Sequence, residues 1–366
     1  MPRADTKGER LKVGVIGAGI GKAHVAAYRQ LPECYHVEAI CDLDAEKART
    51  VATEHEVAKV MPDYDALLGL DLDVIDICTP SNLHFTQALQ ALDAGRHVVL
   101  EKPVARSLAE VDRLEAAELA SGRHLMPIFQ YRFGNGLGRL RHLEARGLVG
   151  KPYMATVETH WRRRPAYYEA GPWRGRWESE LGGCLLTHAI HSHDLLMQVF
   201  GPVRSIAARV ATRVNTIETE DCAAAVLEMA SGALATLSVT LGSEQQISRL
   251  RFCFDGLAVE SSHEPYAPAS DPWRFIAGDE SAQARINAAL GEFVPHPEAF
   301  VGQLAQFHAA LTRSAAVPVT LADARASLEL VTAAYHSART GTPARLPISP
   351  DHPFYQGWQP ARASDM

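Results

Sequence analysis

Lys12-Val13-Gly14-Val15-Ile16-Gly17-Ala18-Gly19-Ile20-Gly21-Lys22-Ala23-His24 is the stretch that decides the fold. Lys12 to Ile16 has the length and apolar character of a buried strand, and Ala23 to Gln30 reads as a helix. Between them, glycines let the backbone turn tightly and approach a pyrophosphate, which a helix N-terminus stabilises. The third glycine falls at 21, whereas the six-residue fingerprint wants it at 22, where this chain has Lys. A glycine cluster alone is weak, because any tight strand-to-helix turn favours glycine.

The surroundings strengthen it. His36 to Cys41 reads as a strand and Asp44 to Glu54 as a charged helix. Val74–Cys78, His97–Leu100 and Leu125–Phe129 are further strands, alternating with helices at Leu83–Ala94 and Ala109–Ala120. That alternation implies right-handed crossovers and a parallel Rossmann sheet, so residues 1–130 are expected to form an α/β dinucleotide-binding domain. Asp42 ends the second strand 25 residues after Gly17, near the usual place of the acid that accepts from ribose hydroxyls. Its alternative role is to cap the next helix. A carboxylate there repels a 2′-phosphate, and the following Leu43-Asp44 supplies no cation, so NAD is expected over NADP.

Beyond about Tyr131 the pattern changes. Leu185 to Phe200 reads as one long apolar helix, ended by Gly201-Pro202. Strands follow at Ser205–Arg213, Cys222–Met229, Ala233–Leu241 and Leu250–Phe254. In the third of these, apolar residues alternate with Thr236, Ser238 and Thr240, which predicts one covered and one hydroxyl-rich face. Late helices are expected near Ala299–Thr312 and Ala322–Arg339. Residues 131–366 are therefore expected to form an α+β domain with a largely antiparallel open sheet, for substrate binding and oligomerisation.

The totals exclude several classes. The 366 residues are too many for one ordinary core. With 36 Lys and Arg against 43 Asp and Glu, and no sustained basic run, neither nucleic acid nor an anionic membrane is an expected partner. No uncharged run reaches the ~18 residues of a membrane helix, and Met1 to Arg10 is polar. Six scattered cysteines without a CxxC pair fit a reduced cytoplasm.

Three ordered motifs carry a family resemblance: Gly17-Ala-Gly19-Ile20-Gly21-Lys-Ala-His24, Cys78-Thr79-Pro80-Ser-Asn82-Leu-His84 and Glu101-Lys102-Pro103. It continues through Gly182-Gly-Cys-Leu-Leu-Thr187-His188-Ala-Ile-His191-Ser-His193-Asp194 and Leu328 to Thr342. With these the chain resembles the glucose–fructose oxidoreductase/inositol dehydrogenase (Gfo/Idh/MocA) family over nearly its whole length. The resemblance implies a nicotinamide cofactor and a homodimer or homotetramer built on the open sheet. It also implies that Thr79, Pro80, Asn82 and His84 line the cofactor, with Glu101 and Lys102 near the nicotinamide. A cis bond before Pro103 is permitted.

Hydride transfer from an alcohol needs a group that takes the hydroxyl proton. Lys102 can hydrogen-bond the hydroxyl and stabilise alkoxide charge, and His191 belongs to the residue type that transfers protons near neutrality. The family pairs the lysine with a histidine at the place of His191. Many family members carry Asp four residues before it, where this chain has Thr187. Lys102 and His191 are thus the expected catalytic pair, with His188 a third candidate. His188, His191, His193 and Asp194 share helical spacing, but no zinc-type cysteines accompany them, so no metal is expected. Trp161, Arg163, Tyr167, Tyr168, Trp173, Arg174 and Trp177 crowd one segment. Aromatic faces and guanidinium donors suit a sugar, yet they also mark interfaces, and both uses stay open. The expected function is NAD-dependent oxidation of a secondary ring hydroxyl in a sugar, glycoside or cyclitol. Reduction of a keto-sugar and a catalytically silent NAD-binding regulator are the alternatives.

Overall fold

Val13 and Val15 have no exposed surface, and the strand that carries them, β1 (Leu11–Ile16), lies at the centre of a six-stranded parallel sheet. A computed structural model describes residues 10–360. The other strands of this sheet are β2 (Tyr35–Cys41), β3 (Lys59–Met61), β4 (Val74–Ile77), β5 (His97–Leu100) and β6 (Leu125–Pro127). Their order is β3-β2-β1-β4-β5-β6, every pair parallel. That is the doubly wound Rossmann arrangement, with its reversal of direction beside β1, where the carboxyl ends of strands open onto a ligand crevice. The apolar runs of β1 and β4 follow from burial on both faces.

The chain forms two compact units. The first runs through Phe129 and takes in Phe300–Arg325 as well. The sequence division at residue 130 places that late segment with the second domain, yet it packs with the first. Tyr35 donates its hydroxyl to Leu304 O at 2.9 Å, and the Gln303 side chain joins Phe129 N and Pro127 O.

The second unit holds an eight-stranded mixed sheet. Its strands are β7 (Pro152–Arg162), β8 (Val203–Ala211), β9 (Cys222–Met229), β10 (Leu234–Thr240), β11 (Gly242–Phe254), β12 (Leu257–Glu260), β13 (Arg274–Ala277) and β14 (Ala344–Arg345). The order is β13-β12-β11-β7-β10-β9-β8-β14, antiparallel except for β7 beside β10. The predicted alternation in β10 holds: Ala235, Leu237 and Val239 are buried while Thr236, Ser238 and Thr240 are half-exposed. The long helix expected at 185–200 is two helices, Cys184–Thr187 and Ile190–Phe200. Ala189 N bonds Cys184 O, five residues back, so one over-wide turn separates them. Apolar residues occur on both sides of the break, among them Leu185, Leu186, Ile190, Leu195 and Leu196, so periodicity did not reveal it. Among the described residues no helix is long and apolar enough to cross a membrane.

Candidate active site

In the first unit, the glycine turn is built for close approach. Gly17 has φ +97°, and a Cβ there would meet Cys78 O at 2.4 Å, so only glycine fits. Gly21 packs on Val15 and Cys78, while Gly19 and Ile20 are exposed. The helix Gly21–Arg29 starts at Ile20 with no side-chain cap, so its first N–H groups are not claimed by a side chain. These features fit a pyrophosphate.

Asp42 does not cap the following helix; Asp44 does, accepting from Glu46 N and Lys47 N at 3.1 Å. Asp42 Oδ2 accepts from Ala18 N at 2.7 Å and Oδ1 from Asp44 N at 2.9 Å, tying the glycine turn to the end of β2. The absence of a neighbouring cation, expected from Leu43-Asp44, is corrected: Lys47 brings its Nζ to 3.7 Å of Asp42 Oδ2. It arrives from the first turn of the next helix, a position that adjacency in sequence does not reveal.

Past β4, the His84 ring bridges two loops, with Nε2 2.8 Å from Thr79 O and Nδ1 2.7 Å from Pro103 O. Thr79 also donates its hydroxyl to Gln87 Oε1 at 2.6 Å. His84 is buried, so it braces the cofactor-side loops from within, whereas Thr79, Pro80 and Asn82 are half-exposed. The Lys102-Pro103 bond is cis.

Beneath Lys102 lies a fully buried ionisable cluster. His24 Nδ1 sits 2.9 Å from Asp76 Oδ2, and its Nε2 3.2 Å from Glu101 Oε1. Glu101 Oε2 accepts the Lys102 backbone N–H at 3.0 Å. A ring facing carboxylate oxygens on both sides donates from both nitrogens, so His24 is an imidazolium. Burial is the largest single effect and works against that charge, yet Asp76 and Cys78 together outweigh it and hold the pKa well above the ordinary histidine value. The Cys78 thiol donates to Asp76 Oδ1 at 3.3 Å, and burial pushes its pKa up, so it stays protonated.

In the second unit, the residues that sequence spacing gathered go separate ways. Asp194 receives two bonds from Arg132. His193 is 1% exposed, and among the described residues neither ring nitrogen has a hydrogen-bond partner. His191 is buried, with its ring 4.6 Å from that of Tyr131. Thr187 donates to Gly183 O at 2.9 Å and lies 2.8 Å from His188 Nδ1. A hydroxyl has one proton, so Nδ1–H of His188 is the donor there and Nε2 faces the Tyr167 hydroxyl at 3.4 Å. Thr187 therefore orients His188. Trp161 meets His188 edge-on at 5.6 Å and Tyr266 at 4.8 Å. Arg163 lies against Trp161, Tyr167 and Tyr266, and Arg174 against Tyr167 and Trp173.

Below this cluster, Glu220 accepts from Gly183 N at 3.1 Å, Leu185 N at 3.0 Å and the Tyr335 hydroxyl. Burial raises its pKa to about 7, against those donors. A Cβ on Gly183 would meet Glu220 O at 2.0 Å, which explains glycine at the start of this turn. Sequence reasoning missed Tyr131, Tyr266 and the Asp76 partner of His24. Tyr266 lies in an irregular loop that carries no pattern to mark it.

Residues 11–129 match the oxidoreductase family with an NAD-binding Rossmann fold, GFO_IDH_MocA. Residues 138–256 match the GFO/IDH/MocA C-terminal domain. The chain belongs to the Gfo/Idh/MocA family. Among its relatives, D-glucoside 3-dehydrogenase of Escherichia coli is 26% identical over 363 residues, 92% of this chain and 97% of that protein. Inositol 2-dehydrogenase of Acidothermus cellulolyticus is 31% identical over 206 residues, 54% of this chain and 57% of its own length. The crystal structure of the WlbA dehydrogenase from Bordetella pertussis, in complex with NADH and UDP-GlcNAcA, superposes with a TM-score of 0.80 at 27% identity. It covers 93% of this chain and 100% of that one. This Gfo/Idh/MocA protein is thus an NAD-dependent oxidoreductase of the sugar and cyclitol dehydrogenase type, acting on CH–OH.

Proposed function

We propose that the protein oxidises a secondary ring hydroxyl of a sugar, glycoside or cyclitol, with Lys102 and His191 handling the hydroxyl proton. The observation that carries this is the support of Lys102: its peptide N–H is held by Glu101, itself anchored on buried His24. Gly17, Gly19, Ile20, Gly21 and Asp42 would hold NAD, together with the Thr79–His84 loop and Glu101-Lys102. When bound, NAD supplies the hydride acceptor. Lys102 hydrogen-bonds the substrate hydroxyl and stabilises negative charge on its oxygen, and His191 takes the proton. Trp161, Tyr167, Trp173, Arg163, Thr187 and His188 hold and orient the sugar, with aromatic faces against C–H surfaces and polar groups on hydroxyls.

The half-exposed face of β9 and β10, with Val226 and Leu234 exposed, would join copies into a homodimer or homotetramer. All six cysteines are free, which suits a reducing cytoplasm.

The test is NAD reduction across sugars, glycosides and cyclitols, followed by variants on the best substrate. Lys102→Ala and His191→Ala should each lower kcat about 10²–10⁴-fold. NAD affinity should stay within a few-fold. Primary isotope effects establish that chemistry limits the rate. A His191→Ala enzyme with wild-type kcat and pH profile moves the base to His188 or to Lys102 itself.

A further inference from the structure

Five arginines lie on or beside the aromatic loop; Arg176 is exposed, and the other four divide into two pairs. Arg162 and Arg164 are exposed, and both reach Glu244. Arg163 and Arg174 are half-buried, and among the described residues neither has a carboxylate within ion-pair distance. Both lie against one ring instead. The Arg163 guanidinium carbon is 4.9 Å from the Tyr167 centroid and that of Arg174 is 4.1 Å from it.

Their hydrogen bonds go to neutral acceptors. Arg163 Nη1 donates to Gln246 Oε1, Tyr266 Oη and the carbonyl of Arg162. Arg174 Nη1 donates to Tyr167 O at 3.1 Å. The Nε of each is buried and has no hydrogen-bond partner among the described residues. The buried acid that acts on Tyr167, Glu180, turns one oxygen to Gly175 N. Two partly dehydrated cations around one ring repel each other, and an anion entering between or beside them relieves that repulsion. Guanidinium forks match carboxylate and phosphate oxygens in shape. The cluster also adjoins the candidate chemistry, because the Tyr167 hydroxyl lies 3.4 Å from His188 Nε2.

We propose that Arg163 and Arg174 form an anion subsite, so that the preferred substrate is a sugar bearing a carboxylate or phosphate group. This rests on the sugar-dehydrogenase reading above. The charged substituent is held by the two guanidiniums while the ring stacks on Trp161 and Tyr167. The neutral hydrogen-bond partners of Arg163 keep its fork oriented without cancelling its charge.

The experiment has two arms on the full-length protein. In the first, tryptophan fluorescence follows titration with D-glucuronate, D-glucose 6-phosphate, inorganic phosphate and neutral D-glucose, with and without NAD. In the second, NAD reduction gives kcat/KM for each sugar. An acidic sugar should bind and turn over at least about tenfold better than its neutral parent, the worth of one charge-assisted hydrogen bond. That preference should sit in KM and weaken with salt. Arg163→Met and Arg174→Met, which keep an apolar stem on the rings, should each collapse it, while Arg163→Lys retains part. The uronate and phosphate arms decide which anion is favoured. Equal use of acidic and neutral sugars overturns the subsite and leaves the dehydrogenase reading standing. Arginine-dependent binding of an acidic sugar with no oxidation of any sugar keeps the subsite and removes that reading. Variants that change association state without changing acid binding make the loop an interface, which also overturns the subsite.

Discussion

His24 directs its Nε2 at the Glu101 carboxylate across 3.2 Å, in a position with no exposed surface. The same ring engages Asp76, so one buried cation serves two carboxylates, and one of those holds the Lys102 peptide. Removing the cation leaves buried anions uncompensated, which costs about 3–5 kcal/mol. His24→Met should lose stability of that order and lower kcat through Lys102, with a smaller effect on NAD affinity. The folded pKa is raised, so the contribution is complete below the unfolded histidine value of ~6.5 and fades as pH climbs through the higher folded one. Wild type should therefore lose stability toward alkaline pH, and the variant should lose that dependence. Parallel curves in thermal melts from pH 6 to 10 would falsify the charged assignment.

Cofactor choice turns on Asp42, with Lys47 3.7 Å away. NAD should bind more tightly than NADP, because a 2′-phosphate meets the carboxylate. Asp42→Ala leaves the ammonium of Lys47 alone at the ribose end and should narrow the preference by about tenfold or more, the worth of a hydrogen bond to a charged group. Calorimetric titration of both nucleotides checks it, and an unchanged ratio removes Asp42 from that role.

His193 sits beside a small apolar cavity lined by Leu185, Ile206, Ala208, Leu237 and Ala334. Burial lowers its pKa to about 3. Between that value and ~6.5 the unfolded chain binds the extra proton, so stability is complete above ~6.5 and falls on acidification. His193→Leu removes unpaired polar atoms from an apolar setting. It should gain about 2 kcal/mol relative to wild type on going from pH 7.5 to pH 5, by the same linkage. Urea midpoints at the two pH values measure this; an equal difference at both sinks the argument.

Activity should survive exhaustive EDTA treatment, and elemental analysis should find no stoichiometric zinc. Asp194 is engaged by Arg132, so the histidine cluster lacks a ready carboxylate. His24, Asp76 and Cys78 do converge closely enough for a metal. Yet the thiol is kept protonated by burial and the imidazole donates on both sides, whereas a metal needs thiolate and a free nitrogen. Chelator-sensitive activity restored by metal would reverse this.

The parallel sheet was legible because its strands are short apolar runs separated by helices and punctuated by Gly17, Gly19, Gly21 and Gly95. Strand β3 was not, since Lys59–Met61 is three half-exposed or exposed residues at a sheet edge. Lys102, His191 and the aromatic loop were legible as residue types in motifs. Their supports were not: Asp76, Tyr131, Gln246 and Tyr266 act through contacts made across long sequence separations, which local pattern does not encode. Lys47 shows the same limit at short range, because a helix turn brings near what adjacency sets apart.

Phe300–Arg325 has a consequence for synthesis. The first unit uses Gln303 to satisfy Phe129 N and Pro127 O, and sets the Phe300 ring 4.5 Å from that of His24. A nascent chain that has left the ribosome only to residue 129 has every strand of its Rossmann sheet but lacks the segment that closes over it. The nucleotide unit therefore waits, incomplete, while the whole eight-stranded sheet except β14 is translated. Chaperone demand and vulnerability to proteases should peak in that interval, and a fragment cut at the end of the Rossmann motif would carry an exposed wound where residues 300–325 belong.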